Sequence, residues 1–143
     1  MASQMVEFPA ILPVRLASDG DEGVRMPERL YYLFVCYANV DRSPTAEAVC
    51  RRIAAENGFD LEASSDGTSY DAYQPVTKHI ADLADKIFVM EPHMVREMVE
   101  EYGQNSAKIV CLDIPDIYEG DDPELVWTLE QKMYEYLTQE GLI

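Results

Sequence analysis

From Leu30 onward, short apolar runs alternate with segments whose apolar residues recur every three or four positions, and that alternation restricts the chain to βαβ units around a parallel sheet. Tyr31 to Val35 is the first strand expected. Ala46, Val49, Cys50, Ile53 and Ala54 then mark one face of a helix that stops at Asn57-Gly58, because glycine accepts the left-handed turn that ends helices. Leu61 to Ser64 reads as a weaker second strand, Pro75 to Leu83 as a short helix, and Lys86 to Met90 as a strongly buried third strand. Pro92, at a first helical position, opens a helix with Met94, Val95, Met98 and Val99 inward. Lys108 to Leu112 is the fourth strand, and Asp122-Pro123 caps and opens a last helix carrying Leu125, Leu129, Met133, Tyr136 and Leu137 inward. The order predicts an α/β fold, an open doubly wound four-stranded parallel sheet flanked by helices. Ligands of such sheets sit beyond the carboxyl ends of the strands, so the loops after Val35, Ser64, Met90 and Leu112 should share one site.

A length of 143 residues, 48% of them apolar, suits one domain. Residues 30–143 are expected to form it. Residues 1–29 read as an N-terminal extension, in which Phe8 to Leu16 leads into a run of turn formers and acids, Ala17 to Gly23. Two readings of it stand side by side: a mobile tail, or Ile11, Leu12 and Val14 packing on the domain's edge. Eleven basic against 27 acidic side chains, a formal charge of -16, oppose binding to nucleic acid or to an anionic membrane, so neither is expected as a partner. An anionic substrate would need a local positive field. No apolar run approaches the ~20 residues that cross a bilayer, and Met1 to Leu16, without a basic start and broken by Pro9 and Pro13, makes a poor secretory signal. Three cysteines without framework spacing fit a reducing compartment, and the cytoplasm is expected. His79 and His93 stand alone, so no metal site and no cofactor are expected.

The segment Val35 to Pro44 joins the end of a buried strand to the start of a helix. A tight loop there can turn successive backbone N–H groups of Tyr37, Ala38, Asn39, Val40 and Asp41 toward one centre, and with the positive end of the helix behind it, it would bind an anion. The same field favours the nucleophilic thiolate of Cys36. Arg42 offers a planar fork of donors to two phosphate oxygens. Ser43 is placed either to cap the helix, with Pro44 at its first position, or to hydrogen-bond the sulfur as it leaves.

Leu33 to Cys36, Asn39, and Arg42-Ser43-Pro44-Thr45-Ala46-Glu47-Ala48 resemble the signature of the low-molecular-weight protein tyrosine phosphatases. The resemblance continues through Ser65 to Thr68, Pro75 to Lys78 and Ile87 to Glu91, and ends in Asp116 to Asp122, covering about residues 30 to 138. It implies a Rossmann-like sheet of the phosphotyrosine phosphatase I kind and a metal-independent hydrolysis of phosphotyrosine, with a phosphotyrosine-containing protein or a small aryl phosphate as substrate. In that reaction Cys36 attacks phosphorus to give a cysteinyl-phosphate, the loop amides and Arg42 hold the equatorial oxygens, and Asp116 is the general acid and base, with Asp113 as the alternative. The resemblance further implies that Tyr118 lines the rim of the pocket and that Asn39 braces the loop together with Ser65. Val40 resembles the branched aliphatic residue of the tyrosine phosphatases, where phosphoarginine-cleaving relatives have Thr. Asp41 should turn its carboxylate out of the anion loop. The stretch from Thr68 to Pro75 is shorter than in mammalian members, which implies a more open pocket and no loop-bracing His. Two other readings remain: a phosphate- or phosphotyrosine-binding module with little or no turnover, and an arsenate reductase, for which Cys50 and Cys111 are poorly placed as shuttles.

Overall fold

The computed structural model describes residues 29–143, so the extension expected before Arg29 lies outside the described residues. Four parallel strands, β1 (Leu30–Cys36), β2 (Leu61–Gly67), β3 (Lys86–Val89) and β4 (Ile109–Cys111), form a sheet in the order β2-β1-β3-β4. Between them run α1 (Arg42–Asn57), α2 (Lys78–Leu83) and α3 (Pro92–Glu100), and α4 (Pro123–Gln139) closes the chain. The strand order steps outward first to β2 and then back across β1 to β3 and β4. Right-handed crossovers therefore put α1 on one face and α2 and α3 on the other, which is the doubly wound arrangement expected. α4 returns to pack on α1.

Helices α1 and α4 bury the stripes that their spacing marks. On α1 the buried residues include Ala46, Val49, Cys50, Ile53 and Ala54, and Gly58, at φ 74°, closes the helix in the left-handed conformation. On α4 Leu125, Leu129, Met133 and Leu137 are fully buried, each contributing about 1.5–3 kcal/mol by leaving water. Tyr136 is only partly buried and sets its ring edge-on to Phe88 at 5.0 Å, while Phe88 stacks on Phe34 at 4.9 Å. The start of α4 is fixed by Asp122, whose Oδ1 accepts from the Glu124 N–H at 2.8 Å, and by Pro123 behind it. Arg29 forks between Asp60 and Glu62 and so ties the entry of β1 to the start of β2.

The elements depart from the sequence reading at several places, and β4 is shorter than expected because Lys108 closes a 3-10 turn, Ser106–Lys108, before it. β2 runs on to Gly67, because its register with β1 pairs Val35 with Asp66 and Cys36 with Gly67, although Ser, Asp and Gly are weak strand formers. α2 begins at Lys78, capped by the Thr77 hydroxyl, since Pro75 and Val76 are held in a bridge to Gly67. On α3 Met94 and Met98 are buried, but Val99, about 100° round the helix from Met98, lies off that stripe and is exposed. No helix among the described residues is long and apolar enough to cross a membrane.

Candidate active site

The carboxyl ends of the four strands bring together the Cys36 loop, the loop after β2, Glu91 after β3 and the acid-rich loop after β4. The Cys36 loop is shaped by its neighbour. Thr68 N–H donates to Cys36 O at 2.9 Å, Ser69 N–H to Tyr37 O at 3.0 Å and Tyr73 N–H to Ala38 O at 3.0 Å. Three successive carbonyls thus face the loop after β2. Because each peptide is planar and trans, its N–H points opposite to its C=O, so the amides of Tyr37, Ala38 and Asn39 are turned the other way, into the Cys36 loop. Asn39 holds the turn at φ 58°, a conformation tolerated by Asn, and its Nδ2 donates to Ser43 Oγ and Ser65 Oγ, both at 3.0 Å.

Gly67 makes this approach possible. A Cβ there would lie 2.6 Å from Tyr37 O, 2.6 Å from the Ala72 Cβ and 3.0 Å from Asn39 N. Gly67→Ala is therefore expected to cost about 3 kcal/mol of stability, read as a lowered urea midpoint, because backbone must move to admit one methyl. A midpoint equal to that of the native chain would show the approach to be looser.

Ser43 does not cap the helix. α1 starts at Arg42 after Asp41, with no side-chain cap bond, and Pro44 is the third helical residue and not the first. The Ser43 hydroxyl is drawn inward instead: it accepts from Asn39, lies 3.1 Å from Cys36 Sγ and 3.3 Å from Asp66 O. With Asn39 as its donor, its own proton is shared between the Asp66 carbonyl and the sulfur. The first-turn amides of α1 are left without a side-chain acceptor, the condition in which a helix end receives an anion.

Arg42 is 2% exposed and anchored twice by Nη1, which donates to Glu91 Oε2 at 2.6 Å and to Ile114 O at 2.7 Å. Its Nη2 lies 3.6 Å from Asp116 Oδ2. The two scaffold bonds engage one nitrogen and leave the rest of the fork. Glu91 is the site residue that the sequence reading did not single out. Its only local signal is an acid one step beyond a buried strand end on the site's face. Asp116 is exposed beside the guanidinium, whereas Asp113, at φ 58°, meets the Cys111 thiol at the end of β4 through its backbone. Asp41 places Oδ1 against Gly120, where a Cβ would lie 3.5 Å away, and Thr45 Oγ1 lies 2.7 Å from both Asp41 O and Gly120 O. Tyr118 is half-buried, its hydroxyl 3.5 Å from Glu124 Oε2, so it ties the acid loop to α4. Tyr37, Val40, Tyr70, Tyr73 and Ile117 are exposed around this face.

The other thiols lie elsewhere. Cys50 is fully buried under α1, and burial pushes its thiol up to about 12. Cys111 is part-exposed, and not buried as its strand suggested, because β4 is an edge strand. It lines a cavity of about 180 Å³ with Lys132, Glu135 and Tyr136, and burial raises its thiol as well. Among the described residues no group of three or more His, Cys, Asp or Glu could hold a metal ion.

A family model described as low molecular weight phosphotyrosine protein phosphatase matches residues 32–119. No curated protein matches the chain in sequence. Several solved structures share the fold. The low molecular weight protein tyrosine phosphatase of T. tengcongensis is similar at 21% identity and a TM-score of 0.66, over 77% of this chain and 99% of that one. Vibrio vulnificus Wzb, in complex with benzylphosphonate, gives 18% identity and a TM-score of 0.65 over 78% of this chain and 99% of its own. YwlE of Bacillus subtilis, an arginine phosphatase seen as a mutant with a phosphorylated active-site serine, gives 19% identity and a TM-score of 0.62 over 78% and 97%.

Proposed function

Since the chain belongs to the low molecular weight phosphotyrosine protein phosphatase family, we propose that it hydrolyses phosphotyrosine, or a small aryl phosphate, through a cysteinyl-phosphate on Cys36. The observation that carries this reading is the outward turn of three successive carbonyls, Cys36 to Ala38, which aims the next amides at an anion held over the thiol. Cys36 thiolate attacks phosphorus in line. The S–P bond forms as the P–O bond to the aryl group breaks, and Asp116 gives its proton to the leaving oxygen. Water then attacks phosphorus, the Asp116 carboxylate takes a proton from it, and the thiolate departs toward the Ser43 hydroxyl 3.1 Å away. Through both steps the loop amides of Tyr37 to Arg42 and the free part of the Arg42 fork hold the three equatorial oxygens, where most of the rate enhancement arises.

The choice of Asp116 rests on its place 3.6 Å from Arg42, against Asp113 beside Cys111. Asp116→Ala is expected to slow turnover of phosphotyrosine about a hundredfold or more, and Asp113→Ala less than about tenfold. Steady-state rates of the two variants check this, and the reverse order would transfer the role to Asp113. Substrate class is argued from Val40 and Tyr37, exposed at 61% and 56% on the loop itself: neither carries a carboxylate to receive a guanidinium, and both offer apolar surface to an aromatic ring. A fold neighbour that binds benzylphosphonate has the same need, and one that acts on phosphoarginine marks the competing class.

The test is release of phosphate from a phosphotyrosine peptide and from phosphoarginine, with chelator present, at mildly acidic pH. Turnover of the phosphotyrosine peptide at least tenfold faster is expected. Preference for phosphoarginine would overturn the substrate class, and tight binding without release would make the chain a binding module. Arsenate reduction is disfavoured by Cys50, which sits on the inner face of α1 with 0% exposure, away from any incoming disulfide partner.

A further inference from the structure

Asp66 is a buried acid that the proposed reaction does not use. It pairs with Val35 across β1 and β2, is 6% exposed, and precedes Gly67, the residue pressed against the Cys36 loop. Its carbonyl lies 3.3 Å from the Ser43 hydroxyl that also reaches Cys36 Sγ. Its side chain has no such company. Asp66 Oδ2 is buried without a hydrogen-bond partner, and so is Thr68 Oγ1 two residues on.

The charged and titratable groups around it offer an ionised Asp66 no relief. From α1 come Glu47 and Arg51, and Arg51 is already engaged by Glu47 Oε2 at 2.9 Å and Ala63 O at 2.6 Å. β1 contributes Cys36 and Tyr31, whose hydroxyl is 2.7 Å from Ser64 Oγ. On β2 itself Glu62 is paired with Arg29. Beyond Thr68, Asp71 is hydrogen-bonded to Ser69. A carboxylate in these surroundings is costly, and a neutral acid is much less so.

We propose that Asp66 is a charge gate behind the anion cradle: neutral, it leaves the Cys36 loop fully electropositive, and ionised, it weakens the capture of an oxyanion there. The proposal rests on the anion-binding part of the reading above and not on turnover. Burial, and then the charge of Glu47, push the Asp66 carboxyl up to about 7, so the gate operates across neutral pH. Below that point the gate is open, and above it the added negative charge opposes the substrate. The backbone is the route of coupling: Gly67 is packed closely against the Cys36 loop, and Asp66 O shares the Ser43 hydroxyl with the nucleophile.

Sulfate tests this, because it stays a dianion throughout the range while phosphate does not. Its dissociation constant is measured by NMR titration at pH 6 and pH 8 on the full chain carrying Cys36→Ser, which removes the thiol's own titration, with and without Asp66→Asn. His93, 3.7 Å from Glu91, is present in both proteins and drops out of the comparison. Sulfate binding is expected to weaken about fivefold between the two pH values with Asp66 present, the size of one added charge near a partly buried anion, and less than twofold with Asn. The same pH dependence in both proteins would overturn the gate while leaving the cradle standing, and no sulfate binding in either protein would remove the cradle and the gate with it. Should Asp66→Asn not fold, linkage supplies a second reading on the Cys36→Ser chain alone. The Asp66 side-chain carbon signal should titrate at higher pH with sulfate bound than without, and an unchanged midpoint would overturn the proposal.

Discussion

Cys36→Ser is expected to lower phosphate release from an aryl phosphate by roughly 10⁴-fold or more while leaving the fold and oxyanion binding in place. The side chain is 3% exposed at the end of β1, and the exchange of sulfur for oxygen changes little volume, so the core around it has no reason to repack. What changes is the chemistry. A serine hydroxyl remains protonated where a thiol can ionise, and its neighbour is not a base: it is the Ser43 hydroxyl, which accepts from Asn39 and shares its own proton between the Asp66 carbonyl and the sulfur. That arrangement helps an anion to sit and depart. It does nothing to deprotonate a neutral alcohol. Initial-rate assays of native and variant chains check the loss, and a thermal shift with phosphate checks that the variant still binds. Undiminished turnover would remove Cys36 from the mechanism.

Arg42→Lys is expected to reduce kcat/KM about a thousandfold, the second large effect. A guanidinium can give one nitrogen to Glu91 and Ile114 O and still present the rest of its planar fork to phosphate. An ammonium has a single nitrogen. If Lys keeps the bond to Glu91, it cannot also bridge two equatorial oxygens, and if it turns to phosphate, Glu91 and the Ile114 carbonyl lose their shared partner. Kinetics on a phosphotyrosine peptide, together with the urea midpoint, separate these outcomes, since the second choice also lowers stability. A variant within tenfold of the native chain would show that the loop amides alone carry the charge.

Most of the fold was legible because it is written in spacing. The stripes on α1 and α4, the Gly58 stop and the Asp122 cap are local signals, and local hydrogen bonds and burial realise them. The Cys36 loop was legible as a tight connection between a buried strand and a helix, and in the structure Asn39 in that loop bonds to Ser65 on β2. What escaped depends on distance along the chain. Nothing near Glu91 announces a bond to Arg42 that spans 49 residues. For Ser43 the sequence leaves a cap and a bond to the sulfur both open, and only the position of Asn39 and Cys36 in space chooses the second. Pro75 and Val76 look like a helix start, yet the bridge to Gly67 claims them for the sheet. Cys111 looked buried because its run is apolar, and strand order, which leaves β4 at an edge, decides otherwise.

The loop after β2 grips the Cys36 loop with main-chain N–H groups, from Thr68, Ser69 and Tyr73. The shape of the cradle is therefore nearly indifferent to what Tyr70 and Tyr73 are, both of which stand more than four-fifths in solvent. Recognition at the rim can thus drift by point mutation while the chemistry beneath it stays constant, which gives a lineage of such chains room to acquire new substrates one residue at a time.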